Sequence, residues 1–168
     1  MQAEVPIFFA IIMVKDWPPV KVTASQDRLL GIDPILTGKP PHKATLTWPR
    51  SGWHQKFVKD LAAFLKGKPV NWSYVRIDER TLSPFTREVV REMRRIPRGM
   101  VKTYGKIAVS LKKRGVKAAP RAVGQAVGRN PWPLVVPCHR VVATGGIGGF
   151  GWGLKWKRKL LALEGVKI

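Results

Sequence analysis

Residues 103–141 read TYGKIAVSLKKRGVKAAPRAVGQAVGRNPWPLVVPCHRV, and this stretch decides the architecture. Thr103 stands where a helix needs an N-cap, and Ile107 and Leu111 lie four apart, so the pattern predicts a helix over Thr103 to Lys113. Gly115 to Pro120 reads as a turn. A second helix over Arg121 to Arg129 presents Ala122, Val123, Ala126 and Val127, with Gly124 and Gly128 also four apart. Two short helices joined by a Gly-containing turn in a basic region point to a helix-turn-helix, although a plain helical hairpin shares the pattern. The second helix is built from small residues, which lets it approach another surface closely. Arg121 is its main long basic side chain.

Downstream, Asn130, Pro131, Trp132 and Pro133 make a rigid bend. Leu134 to Val136 is predicted as a short buried strand that delivers Pro137, Cys138, His139, Arg140 and Val141. A lone cysteine is most often a packing residue. Here His139 and Arg140 beside it, and Arg121 on the preceding helix, would favour the thiolate, which is the reactive form. On an extended backbone adjacent side chains point apart, so a water would have to join Cys138 to His139. Such a relay needs an anion behind the imidazole. Glu164 stands out as that anion. It follows a helix predicted over Leu154 to Leu163, just before Gly165, where the macrodipole disfavours a carboxylate. The six glycines from Gly145 to Gly153 contain the spacing Gly146, Gly148, Gly151, but too little chain follows for a dinucleotide-binding unit. A loop whose backbone amides approach a ligand is the better account.

Upstream, Ser83 is a candidate N-cap with Pro84 at N1, and Phe85, Val89, Met93 and Ile96 form one apolar stripe ended by Pro97 and Gly99. Arg87, Arg91, Arg94 and Arg95 occupy the other face. The N-terminal half reads as strands at Ile7 to Val14, Val20 to Ser25 and Leu29 to Ile35, then a helix over Trp53 to Leu65 ended by Gly67 and Pro69. Gly67 to Pro84 reads as an extended connection. The expected domains are residues 1–80, with the linker at the end, and 81–168. His42 and His54 lack acidic or thiol neighbours at ligand spacing and are expected to be surface or packing residues.

The 168 residues carry a net charge of +21 and one cysteine. Residues 1–84 hold 12 basic and 7 acidic residues, whereas residues 85–168 hold 19 and 3, so the charge belongs to the C-terminal half. So one-sided a field suits a polyanion, because neutralising phosphates releases counterions. One cysteine excludes an intramolecular disulfide, and with three histidines it cannot build a Cys/His zinc cluster. The longest apolar run, Val5 to Val14, is too short to span a bilayer and lacks the flanks of a signal peptide. A soluble, cytoplasmic protein with no membrane partner is expected.

Pro137-Cys138-His139-Arg140-Val141, Arg121-Ala122-Val123-Gly124, Arg129-Asn130-Pro131, Leu163-Glu164-Gly165 and Tyr104 within Thr103 to Ala108 together resemble the O6-alkylguanine-DNA alkyltransferases. The likeness is close over Phe85 to Gly165 and loose before it. It implies an α/β N-terminal domain resembling ribonuclease H and a mainly α C-terminal domain with a helix-turn-helix. It implies a monomer that acts on double-stranded DNA containing O6-alkylguanine, and O4-alkylthymine besides, with no cofactor and no metal. The alkyl group would pass irreversibly to Cys138, once per protein molecule. By the same resemblance the second helix of the motif enters the minor groove and Arg121 fills the gap left by a flipped nucleotide.

The resemblance further assigns catalytic roles to Cys138, His139, Glu164, Tyr104 and Asn130. It assigns substrate contacts to Val141, Phe150, Gly151, Trp152 and Val127, and DNA contacts to Arg121, Ala122, Gly124, Gln125, Arg129 and Thr103. Phe150 and Trp152 depart from the Tyr and Gly of some relatives, so a narrowed pocket that reacts poorly with O6-benzyl substrates is expected. A non-catalytic alkyltransferase-like DNA sensor would lack the thiol of Cys138, a thiol hydrolase explains neither the charged half nor the finger-like Arg121, and a major-groove repressor would need more side chains able to read base edges.

Overall fold

The computed structural model describes residues 6–38, 47–50 and 52–168. His42 lies outside them. The chain divides into two compact units, Met1–Asp78 and Glu79–Ile168.

In the first unit β1 (Phe8–Ile12), β2 (Val20–Ala24) and β3 (Leu29–Pro34) form an antiparallel meander. β1 and β2 pair from Phe8 opposite Ala24 to Ile12 opposite Val20, and the pairing of β2 with β3 carries a bulge between Thr23 and Ala24. Alternation sends Val20, Val22 and Ala24 inward, and helix α1 (Gly52–Leu65) buries Phe57, Leu61, Phe64 and Leu65. His54 is a packing residue: it is buried, its Nε2 meets the Ser25 carbonyl at 2.9 Å, and its ring lies among Phe8, Trp48 and Trp53. The stretch read as an extended connection is largely part of this unit's core. Trp72, Val75 and Ile77 are buried, and Ile77 bridges Leu29 in parallel.

The second unit opens with a 3-10 turn, Glu79–Thr81, and α2 (Pro84–Arg94). Ser83 caps α2 by accepting from the Thr86 amide, with Pro84 in the first turn, and the apolar stripe buries Val89 and Met93. Strand β4 (Lys102–Thr103) leads into α3 (Tyr104–Lys113), whose cap is the Thr103 hydroxyl on the Lys106 amide. Then follow α4 (Pro120–Gly128), a 3-10 turn Cys138–Arg140, β5 (Val141–Val142) and α5 (Leu154–Leu163). β4 and β5 pair in parallel, Lys102 with Val141 and Thr103 with Val142, which sets Tyr104 beside the cysteine segment. Among the described residues no helix is long and apolar enough to cross a membrane.

The predicted strand Leu134 to Val136 is a correction. Leu134 has φ +78°, the Val136 amide donates to the Trp132 carbonyl at 2.8 Å, and the segment closes into a tight turn. The side chains are buried as expected, but a short continuous run of buried apolar residues does not distinguish a strand from a turn pinned by neighbours.

Candidate active site

Asn130 builds the turn that carries the thiol. Its Oδ1 accepts from the Trp132 amide at 3.1 Å and its Nδ2 donates to the Val136 carbonyl at 2.8 Å, so one side chain spans the whole bend. Trp132 is fully buried beneath it. The Cys138 amide then donates to the Val136 carbonyl and the Arg140 amide to the Pro137 carbonyl, winding residues 138–140 into a single helical turn rather than the expected extended backbone. Cys138 forms part of a cavity of about 270 Å³. One wall comes from Tyr104, Gly124, Val127 and Gly128, and the other from Gly149, Phe150 and Gly151. Glycine on both walls leaves room for a flat group to slide against backbone. Gly148 has the least room: a Cβ there would sit 2.9 Å from the Tyr104 hydroxyl and 3.0 Å from the Ala143 nitrogen.

Behind the cysteine, His139 is completely buried and its Nε2 lies 2.9 Å from Glu164 Oε1. Glu164 also accepts from Arg140, Nε to Oε2 and Nη2 to Oε1, both at 2.9 Å, and from the Gly99 amide at 3.4 Å. Burial alone would raise the Glu164 pKa. The hydrogen bonds from His139 and Arg140, with the guanidinium charge, overcome it and bring it down to about 2. Glu164 is therefore a carboxylate and can only accept, which assigns the imidazole proton to Nε2 and leaves Nδ1 as the basic nitrogen. Burial pushes the His139 pKa below its ordinary value despite Glu164, so the ring is neutral at pH 7 and able to take a proton.

The thiol is held protonated at rest. Burial raises the Cys138 pKa to about 11 against the lowering effects of the Asn130 hydrogen bond, the Lys157 charge and the backbone amides of Cys138 and His139. A thiolate is thus reached only when a neighbour accepts the proton.

A family profile described as 6-O-methylguanine DNA methyltransferase, DNA binding domain, matches residues 84–166. The methylated-DNA–protein-cysteine methyltransferase of Saccharolobus islandicus (strain M.16.27) is 48% identical over 113 residues, covering 67% of this chain and 70% of that protein. This chain belongs to the methylated-DNA–protein-cysteine methyltransferase family. Solved structures agree over nearly the whole length. Mycobacterium tuberculosis O6-methylguanine methyltransferase superposes with a TM-score of 0.75 at 31% identity, over 95% of this chain and 93% of that one. Mycobacterium tuberculosis OGT in complex with DNA gives 0.73 at 28%, over 95% and 92%. The shared fold is a small sheet plus helices.

In this methyltransferase-family chain, the structure brings Cys138, Tyr104, Val127, Phe150 and Gly151 to one cavity. Asn130, His139 and Glu164 form the layer behind it. Arg121 and Gln125 are exposed on α4 and Arg129 at its C-cap, with Ala122 and Gly124 half-buried beside them, while Val123, Ala126 and Val127 face inward. Thr103 is engaged as the α3 cap.

Three placements differ from the sequence reading. Arg140 does not serve the thiol: its guanidinium is taken by Glu164 and by the Ile96 carbonyl at 2.6 Å. Trp152 is buried and packs against Phe150, ring centroids 6.1 Å apart, rather than lining the cavity. Val141 does not line it either, and its carbonyl accepts from Lys157 Nζ at 2.6 Å.

Lys157 was missed. Its side chain is wholly buried, and its Nζ donates to the Val141 carbonyl and, at 2.9 Å, to the Gly149 carbonyl, tying the glycine loop to the cysteine segment. Burial lowers its pKa to about 8, a shift that ionised Cys138 would oppose. The signal was present in spacing. Lys157, Leu160, Leu161 and Glu164 form one helical stripe, so a lysine stood on the inward face.

Proposed function

We propose that this protein repairs alkylated DNA directly, taking the alkyl group from O6 of guanine, and from O4 of thymine, onto Cys138. The observation that carries the reading is the cavity itself. A buried thiol in a glycine-walled slot, beside a helix whose outer face is small except for Arg121, Gln125 and Arg129, suits a single flat base withdrawn from a duplex. The hairpin of α3 and α4 would act as a helix-turn-helix with α4 in the minor groove, where small side chains allow close approach. Arg121 would occupy the vacated stack. The N-terminal unit, with its three-stranded meander and helix, would be a reduced ribonuclease H-like domain.

The chemistry follows from the proton positions. Nδ1 of His139 accepts the Cys138 proton through a water, and the imidazolium so formed faces the Glu164 carboxylate. Sulfur attacks the alkyl carbon in line with the departing oxygen. The S–C bond forms as the C–O6 bond breaks, and the electron pair goes to the purine. Tyr104 donates to N3 of the leaving guanine and neutralises the charge as it builds. The Gly151 amide would reach O6, and the carbonyl of Cys138 the exocyclic amine. The thioether is stable, so each molecule acts once, as a monomer in a reducing cytoplasm.

Duplex DNA carrying labelled O6-methylguanine tests this. At most one equivalent of label becomes bound to the wild-type protein and none to Cys138→Ala. Label that never becomes protein-bound refutes the reading. Arg121→Ala slows repair of duplex far more than reaction with the free base, and equal slowing removes the finger role.

A further inference from the structure

The positive charge of the second unit is not evenly available. Beyond residue 84 the chain has three carboxylates. Glu88 is paired with Arg91 and Arg114, Glu92 with Arg95, Lys102 and Arg114, and Glu164 with Arg140. These pairs offset part of the charge on the α2 side of the unit and that of Arg140. Helix α5 is different. It carries Lys155, Lys157, Arg158 and Lys159 and no acidic residue. Lys157 points inward, while Lys155 and Arg158 are exposed and Lys159 is half-buried. Among the described residues neither Lys155 nor Arg158 meets a carboxylate. Positions 155, 158 and 159 fall at i, i+3 and i+4, so these three cations share one outward stripe. Trp156 keeps two of them extended along the surface, with the ammonium of Lys155 5.2 Å and that of Lys159 5.7 Å from its ring centroid.

The position of this stripe gives it meaning. The cavity lies between α4 on one side and residues 149–151 on the other, and that second wall runs through Gly153 directly into α5. A duplex presenting a base to the cavity would meet α4 on one flank and the start of α5 on the other. We infer that the stripe of Lys155, Arg158 and Lys159 is a second DNA-backbone contact, binding phosphates on the side of the pocket opposite the recognition helix. This rests on the proposed action on DNA and deepens it. From Lys155 to Lys159 the helix rises about 6 Å, and a B-DNA strand offers a phosphate about every 3.4 Å of axis, so two phosphates fall within reach. Such contacts hold and orient the duplex without reading its sequence.

The test is the salt dependence of binding to undamaged duplex DNA, which needs no lesion and no transfer. Each phosphate contact contributes about 0.9 to the slope of log K against log salt concentration. The variant Lys155→Gln/Arg158→Gln/Lys159→Gln is expected to lower the slope by about 2. The control Lys15→Gln/Lys66→Gln/Lys68→Gln removes the same charge from exposed sites in the first unit and leaves the slope unchanged. Equal slopes for the α5 variant and wild type, or equal losses in variant and control, overturn the inference, the latter showing only a diffuse field. Should the triple variant not fold, the exposed single changes Lys155→Gln and Arg158→Gln each lower the slope by about 0.9, and no change in either refutes it. Transfer of label by wild-type protein at low salt separately tests the action on DNA, so the two can fail independently.

Discussion

Replacing Glu164 by Gln removes one negative charge from a buried site that holds three partners, His139, Arg140 and the Gly99 amide. The carboxyl titrates at about 2 in the folded chain against an ordinary 4.5. At roughly 1.4 kcal/mol per pKa unit, that difference is worth about 3 kcal/mol of folding stability. The sign follows from the depressed pKa: the contribution is complete above about pH 4.5 and is lost as pH falls towards 2. Gln keeps the shape but leaves the Arg140 guanidinium, 11% exposed, without its counter-charge. At pH 7 the variant should be less stable by about 3 kcal/mol, which lowers the melting temperature of a unit this size by roughly 12–24 °C. Urea denaturation at pH 7, 5 and 3 measures it. The gap between the two proteins should be full at pH 7, start to shrink below about 4.5 and be close to gone near pH 2. A deficit below about 1 kcal/mol at pH 7, or one as large at pH 3 as at pH 7, would refute the charge argument.

Gly148→Ala places a methyl group 2.9 Å from the Tyr104 hydroxyl at φ +70°. With a left-handed backbone costing about 1–2 kcal/mol and the phenol displaced, transfer from duplex should slow about tenfold or more. Wild-type rates would show that the loop simply yields. For adduct size, Phe150→Ala should raise the rate with O6-benzyl relative to O6-methyl substrates, because Phe150 lines the cavity. Trp152→Ala should instead cost about 3 kcal/mol of stability, read by denaturation, and a selective gain in benzyl transfer from it would contradict the packing described. Lys157→Met removes the cation that lowers the Cys138 pKa, so iodoacetamide labelling at pH 7 should slow by about threefold or more and recover in Lys157→Arg. Equal rates in all three proteins would show that the buried ammonium does not act on the thiol.

Local chemistry made the helices of the second unit legible in advance. Ser83 with Pro84, and Thr103 before Tyr104, mark helix starts because a side-chain oxygen must satisfy an orphan amide within three residues. The outward side of α4 was legible for the same reason, since helical periodicity alone separates Arg121, Gln125 and Arg129 from Val123, Ala126 and Val127. The odd position of Glu164 at a helix C-terminus marks it in the sequence, and in the fold its carboxylate lies 2.9 Å from His139 Nε2. What could not be read was which cation it faces. Arg140 was expected beside the thiol and lies instead across the carboxylate, while the cation that does act on the thiol, Lys157, comes from the far side of the glycine loop.

The sequence by itself determined the repeating features: two charge halves, capped helices, a lone thiol in a specific motif and its family. These depend on residues near one another in the chain. Only the tertiary structure decided the cavity. Its walls are drawn from residues 104, 124, 127, 128 and 149–151, and are held together by the pairing of β4 with β5. It also decided the turn at Leu134, the buried Lys157 and the retreat of Trp152 from the site. Each of these is settled by competition for burial and for hydrogen-bond partners among segments distant in sequence, and no local pattern records how that competition ends.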